Sequence, residues 1–247
     1  MEPPLQADGT ALSGGASRLE ILRLGATVRR PVGPNSGYVH ALLTHLERAG
    51  LAWTPRFLGI DAAGREVLSF IEGEVAHGVD AWSESRLDAL VALIRQMHDA
   101  TAGSALAGAA EVVCHHDLAP WNTVLREGVP VAFIDFNDAA PGRCVDDLGY
   151  FFWVFLGLGT GLLAAEQARR MARLCARYGP LDRKSLVPAI LRQQRRVLAM
   201  RIRRARESTA SEDRAWETER ARQIRREMHW VREWRAVLER ALAEIPA

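Results

Sequence analysis

The sequence predicts an α+β protein in which a small antiparallel sheet is followed by a larger, mainly helical part. Three observations predict this. Up to about residue 75, short β-type runs alternate with glycine and proline; from Ser83 onward apolar residues recur at helical spacing; strand character then returns once, between Val112 and Ile134. At 247 residues, with 48% hydrophobic and 25% charged content, the chain suits one domain or two closely packed lobes.

The elements follow in order. Arg18 to Leu24 reads as a strand, Gly25-Ala26 as a turn, and Thr27 to Arg30 as a second strand stopped by Pro31. Val39, Leu42, Leu43 and Leu46 mark a helix between Tyr38 and Leu46, and Arg56 to Ile60 and Val67 to Ile71 are further strands. The first lobe, residues 1–73, is thus expected to hold about five strands and one helix, and residues 74–247 form the second. Its first helix buries Leu87, Leu90, Ile94 and Met97. Val112 to Cys114, Val124 to Leu125 and Val131 to Ile134 are short strands, the last two joined by a hairpin at Glu127-Gly128. Leu148 to Ala165 carries no charge and approaches the ~18 to 20 residues that span a bilayer. Glycines interrupt it, so it reads as a buried helix from about Asp146 to Leu156, a turn and a second helix, with no membrane span. Helices are expected at about 163–178, 184–206 and 212–243, the last burying Ile224, Met228, Val231, Trp234 and Leu238.

Charge and cysteines narrow the function. A formal charge of +2 gives no chain-wide field for nucleic acid or anionic lipid. Cys114, Cys144 and Cys175 are odd in number and form no C-x-x-C pair, which argues against a disulfide framework or zinc site and for a reducing compartment. The opening MEPPLQADGTALSGGAS lacks the apolar core of a secretory signal, so a cytoplasmic location is expected.

Chemistry concentrates in VVCHHDLAPWNTVLREGVPVAFIDFNDAAPG. His115-x-Asp117, four residues, then Asn122, and Asp135 beyond a hairpin is the spacing that metal-assisted phosphoryl transfer uses. Asp117 can accept or orient the proton of an attacking hydroxyl, and Asn122 and Asp135 offer hard oxygens suited to magnesium. With seven His, twelve Asp and three Asn, roughly 0.004 chance matches to H-x-D-x4-N are expected, so the motif is specific. Other features have a plainer reading beside the sharper one. Isolated, His115 and His116 would be structural histidines, Asp138 and Asp146 helix caps, and Arg192 to Arg206 a solvated helix face. Trp121 either lines an acceptor pocket or packs beneath the loop.

CHHDLAPWN, FIDFNDAAPG and DDLGYFFW together resemble the catalytic loop, metal loop and following helix of the aminoglycoside phosphotransferase and choline kinase superfamily. VRRP and HHDLAPWN also resemble the branch of trifolitoxin immunity proteins. The resemblance implies a bilobal protein-kinase-like fold and use of ATP or GTP with Mg2+. It implies Asp117 as catalytic base, Asn122 and Asp135 as metal ligands, and His115 and Asp147 as supports of the loop. It also implies that Ser69, Phe70 and Ile71 present backbone groups to adenine and that the Gly14-Gly15 turn covers the phosphates.

One departure stands out. Such kinases pair a strand lysine with a helix glutamate, yet Lys184 is the single lysine here and the first helix carries no Glu before Glu47. Arg29 stands nearest the expected place, with Arg30 beside it; if Arg29 faces the cleft, alternation sends Thr27 the same way and Val28 opposite. From residue 190 onward 15 Arg face nine acids, a balance that disfavours a polycationic aminoglycoside as acceptor. The expected activity is therefore phosphate transfer to a hydroxyl of an anionic or neutral small molecule. A catalytically weak kinase-shaped binding or immunity protein is the alternative. A third reading, a His-Asp metal phosphohydrolase, conflicts with a triplet that follows a strand, because such folds are helical throughout.

Overall fold

The computed structural model describes residues 10–11, 21–76 and 82–245. A five-stranded antiparallel sheet comes first, with β1 (Thr10–Ala11), β2 (Leu22–Leu24), β3 (Thr27–Pro31), β4 (Phe57–Ile60) and β5 (Arg65–Ser69) in the order β1-β2-β3-β5-β4. Between β3 and β4 lies α1 (Ser36–Arg48), whose Val39, Leu42, Leu43 and Leu46 are buried as their spacing predicts. These leucines meet Leu68 of the sheet together with Met97, Val113, Phe136 and Ala139 of the following lobe, so one core cluster bridges both lobes.

The second lobe opens with β6 (Glu74–Val75), which pairs with β8 (Thr123–Arg126) instead of the first sheet. Gly73 allows this crossing: it has φ +147°, and a Cβ there would strike Leu125 O and come within 2.6 Å of a Val124 methyl. Next is α2 (Glu84–Thr101), capped by Ser83, whose hydroxyl accepts the Arg86 amide at 3.3 Å. β7 (Val112–Cys114) and β10 (Ala140–Gly142) form a two-stranded ribbon, and β8 joins β9 (Val129–Phe133) through Glu127 (φ 51°) and Gly128 (φ 75°), the two left-handed residues of a tight hairpin.

The uncharged run forms α3 (Cys144–Phe155), buried on nearly every side, and then a glycine-rich turn before α4 (Ala164–Tyr178). Among the described residues no helix is long and apolar enough to cross a membrane. α5 (Leu186–Glu207) packs so closely on α3 that a Cβ at Gly149 would lie 2.9 Å from the Ile190 amide nitrogen. The predicted last helix is two, α6 (Ser211–Glu233) and α7 (Arg235–Ala243). The break falls at Trp234, which is exposed, contrary to its predicted place in the inward stripe. Turning there directs Leu238 and Leu242 into the core, with α7 lying against α4.

Candidate active site

β7 delivers the chain to His115, His116 and Asp117, and Asp147 of α3 holds the loop from behind. Its carboxylate accepts the His115 and His116 amides, each at 2.8 Å, and Nε2 of His98 from α2 at 3.1 Å. All three side chains of this brace, Asp147, His98 and His115, are buried. Burial would raise the Asp147 pKa, but the His98 hydrogen bond and charge override it and bring it down to about 2. Burial likewise opposes charge on His98, and Asp147 outweighs it to raise His98 to about 9. His98, Cys114 and Asp147 are the one His/Cys/carboxylate cluster among the described residues with ligand atoms within 4.8 Å of one another. Its carboxylate and imidazole are already engaged with each other and with the loop.

His115 stitches the loop to the end of β9: its Nε2 bonds Ile134 O at 3.1 Å, and its Nδ1 accepts the Asp117 amide at 3.3 Å. With both nitrogens on backbone it is not disposed to ligate a transition metal. His116 sits in the left-handed region at φ 64°, a strained choice for a non-glycine residue, and burial lowers its pKa. Its carbonyl accepts Arg196 Nη2 at 2.5 Å.

Asp117 is gripped at both oxygens. Tyr150 Oη donates to Oδ1 at 2.7 Å, and Asn122 Nδ2 donates to Oδ2 at 2.7 Å and to the Asp117 carbonyl at 2.9 Å. Burial, reinforced by the Asp117 charge, pushes the Tyr150 phenol well above its ordinary pKa, so it remains a donor. Asn122 precedes β8 and Asp135 follows β9; the Ile134 amide donates to Asn122 O at 2.9 Å and closes the two strand ends together. Asp135 is also left-handed (φ 64°, ψ 66°), which turns its partly exposed carboxylate out of the strand. The loop motif thus gathers as its spacing predicts.

The strand arginines are placed differently from expectation. Arg30, not Arg29, approaches Asp135, with Nη1 to Oδ1 at 3.2 Å. Arg29 lies on the opposite face and pairs with Asp61 at 3.6 Å. Alternation holds, but the frame is one residue over, because Val28 faces the bridging core and carries Arg30 to the same side. At the end of β5 and just beyond it, the Ser69 amide bonds Arg56 O at 2.9 Å and the Phe70 amide bonds Ala26 O at 2.8 Å, so both are used inside the first lobe. Gly14 and Gly15 lie outside the described residues.

Sequence reasoning missed Tyr150, His98 and Arg196. Tyr150 had a signal, since it sits three residues after Asp147 and hence on the same helical face. The run from Arg192 to Arg206 is not the simple solvated face expected: Arg192 reaches Asp146 at 2.7 Å, Arg201 reaches Glu217 at 3.2 Å, and Gln193, Gln194 and Val197 are buried. Asp146 also accepts the Arg143 amide at 3.1 Å, the capping role of the plainer reading. Beside the site is a pocket of about 320 Å³ lined by Trp82, Trp121 and Trp153 and by Arg170, Arg220 and buried Glu227. Trp153 touches Tyr150 edge-on at 5.7 Å and donates to Glu227 at 2.8 Å. A larger pocket, about 1350 Å³, is lined by Gly179 to Lys184 and the end of α7, with no catalytic-loop residue.

A small antiparallel sheet lobe on a helical lobe, with a braced His-x-Asp loop and a second Asp after a hairpin, defines the bilobal kinase-like class. The chain belongs to the phosphotransferase enzyme family, whose model matches residues 39–183. It is 36% identical over 189 residues to a trifolitoxin immunity protein of Rhizobium leguminosarum bv. trifolii, covering 66% of this chain and 72% of that one. In fold it is similar to a choline/ethanolamine kinase family protein of Mesorhizobium loti, with TM-score 0.61, 16% identity and coverage of 95% and 94% of the two chains. An ethanolamine kinase of Plasmodium vivax gives TM-score 0.63 at 13% identity, over 88% of this chain and 81% of that one. An aminoglycoside phosphotransferase of Streptomyces rimosus gives 0.53 at 17%, over 74% and 91%.

Proposed function

We propose that the protein transfers the terminal phosphate of ATP or GTP to a hydroxyl of a small molecule, with magnesium. The observation that carries this is the Asp117 carboxylate, fixed by Tyr150 and Asn122 at the end of a braced loop and next to the strand end that bears Asp135. A carboxylate so oriented can align an acceptor hydroxyl and take its proton as the new bond forms.

Asn122 and Asp135 fit a magnesium ion chemically. The Asn122 amide nitrogen is engaged on Asp117, which leaves its carbonyl oxygen for a cation, and Asp135 keeps one oxygen clear of Arg30. Bound there, the ion would neutralise charge on the phosphates. Arg30 supplies the strand cation in place of lysine. Adenine contacts in the segment from Ser69 to Ile71 fall to its carbonyls and to the Ile71 amide, since the two preceding amides are occupied. The acceptor enters beside Trp121, where a pocket of about 320 Å³ lined by three indoles together with Arg170, Arg220, Gln223 and Glu227 suits a compact molecule with a few polar groups better than a polycationic sugar. Three free cysteines accord with work in the cytoplasm.

The relative named for trifolitoxin immunity, together with the missing lysine-glutamate pair, favours a second reading: a kinase-shaped protein that protects by binding. Turnover separates the two. The purified chain is screened by thermal shift against ATP and GTP with and without magnesium, and then for nucleotide hydrolysis or transfer with an acceptor library. Magnesium-dependent stabilisation plus acceptor-dependent turnover lost in Asp117→Asn supports the kinase. Nucleotide binding without turnover on any acceptor supports the binding protein, and no nucleotide binding at all refutes the kinase reading.

A further inference from the structure

We infer that Glu66 is a positioning residue that takes the place of the missing helix glutamate and locks Arg30 toward the phosphate site from within the sheet. The inference rests on the reading of Arg30 as the phosphate-facing cation. Arg30 of β3 and Glu66 of β5 are direct cross-strand partners in the register, so both side chains leave the same face of the sheet. Arg30 Nε meets Glu66 Oε1 at 2.5 Å, while Nη1 on the far side of the guanidinium meets Asp135 at 3.2 Å. The fork is therefore held by its inner edge and presents its outer edge to the site, which a single-point ammonium could not do.

Glu66 is 1% exposed, and a carboxylate that deep needs partners at both oxygens. Its second oxygen meets His40 Nε2 of α1 at 2.6 Å, and the imidazole stacks on Phe57 of β4 with ring centroids 3.7 Å apart. Arg30 and His40 are the two basic groups bonded to it among the described residues, one from the sheet and one from the helix. In protein kinases the bracing glutamate rides on a mobile helix, and the ion pair forms only when that helix is in place. Here strand register sets the pair. The helix is itself tied down: Asn35 Nδ2 donates to Asn137 O at 2.9 Å and Ala139 O at 3.0 Å, and Tyr38 Oη donates to Leu106 O at 2.9 Å. The cation is thus held without a helix movement, and the first helix can dispense with a glutamate before Glu47.

A double-mutant cycle on nucleotide affinity tests this, with MgATP and MgGTP as titrants and calorimetry as the readout. Glu66→Gln keeps the shape and removes the charge. It is expected to weaken binding roughly tenfold in the otherwise native chain and by under about twofold on an Arg30→Ala background, since its effect runs through the guanidinium. Equal losses on both backgrounds would mean that Glu66 acts through the fold, and overturn the brace alone. An Arg30→Ala chain that binds as well as the native one, or a native chain that binds neither titrant, overturns the phosphate reading and the brace with it. Should Glu66→Gln not fold, the native protein still decides: the Arg30 Nε–H resonance, identified by its loss in Arg30→Ala, is expected to be protected from solvent exchange. Exchange at the rate of a free arginine overturns the brace.

Discussion

Replacing Asp147 by Asn tests whether the loop is held as described. The carboxylate, itself fully buried, accepts from two loop amides and from the buried His98 imidazole. An amide of the same shape has one acceptor oxygen and turns an N–H toward a donor. His98 would then be a buried charge without its counterion, a situation that costs about 3 to 5 kcal/mol when one partner of a buried pair is removed. The titration shifts give a similar size. Net of the burial that opposes charge on each, His98 moves from 6.5 to about 9, about 3 kcal/mol, and Asp147 from 3.8 to about 2, about 2 kcal/mol; the two differ because other groups also act on each, Cys144 on His98 and the two loop histidines on Asp147. These are one contribution, counted once.

The sign follows from the directions. A raised His98 stabilises fully below pH 6.5 and loses that contribution as pH rises through about 9; a lowered Asp147 stabilises above 3.8 and loses it as pH falls through about 2. Urea denaturation of native protein and Asp147→Asn at pH 6 and pH 9 reads both quantities. We expect the variant to lose about 3 kcal/mol at pH 6 and clearly less at pH 9. A loss under about 1 kcal/mol at pH 6, or one independent of pH over this range, refutes the brace as an ion pair.

Three further outcomes are expected. Asp117→Asn lowers turnover by about 100-fold or more on an identified acceptor and leaves nucleotide affinity nearly intact; unchanged turnover removes Asp117 as the base. Asn122→Ala and Asp135→Ala each abolish the magnesium-dependent thermal shift with nucleotide while circular dichroism stays native; a full shift in both refutes the metal assignment. Arg30→Ala weakens nucleotide binding roughly ten- to a hundredfold by loss of a charge-assisted contact worth about 1.5 to 3 kcal/mol, whereas Arg29→Ala, which breaks a pair with Asp61 on the other face, changes it by under about threefold; equal effects refute the assignment of the cation to Arg30.

By itself the sequence determined most of the helices, the sheet-then-helix division, the Glu127-Gly128 hairpin and the grouping of Asp117, Asn122 and Asp135. These are local matters: periodicity, turn chemistry and strand ends a few residues apart bring such groups together whatever the rest of the chain does. Tertiary structure decided the rest. The frame of β3 depended on whether Val28 or Arg29 found the better burial, and the core shared with α1 chose Val28. Tyr150, His98 and Arg196 meet Asp117, Asp147 and His116 across 33, 49 and 80 residues, distances at which no spacing rule operates. Likewise Glu66 became the partner of Arg30 through strand register across 36 residues, in a position where sequence alone sought a glutamate on a helix. A buried charge takes whichever opposite charge the packing brings within reach, and that is fixed only when the whole chain has folded.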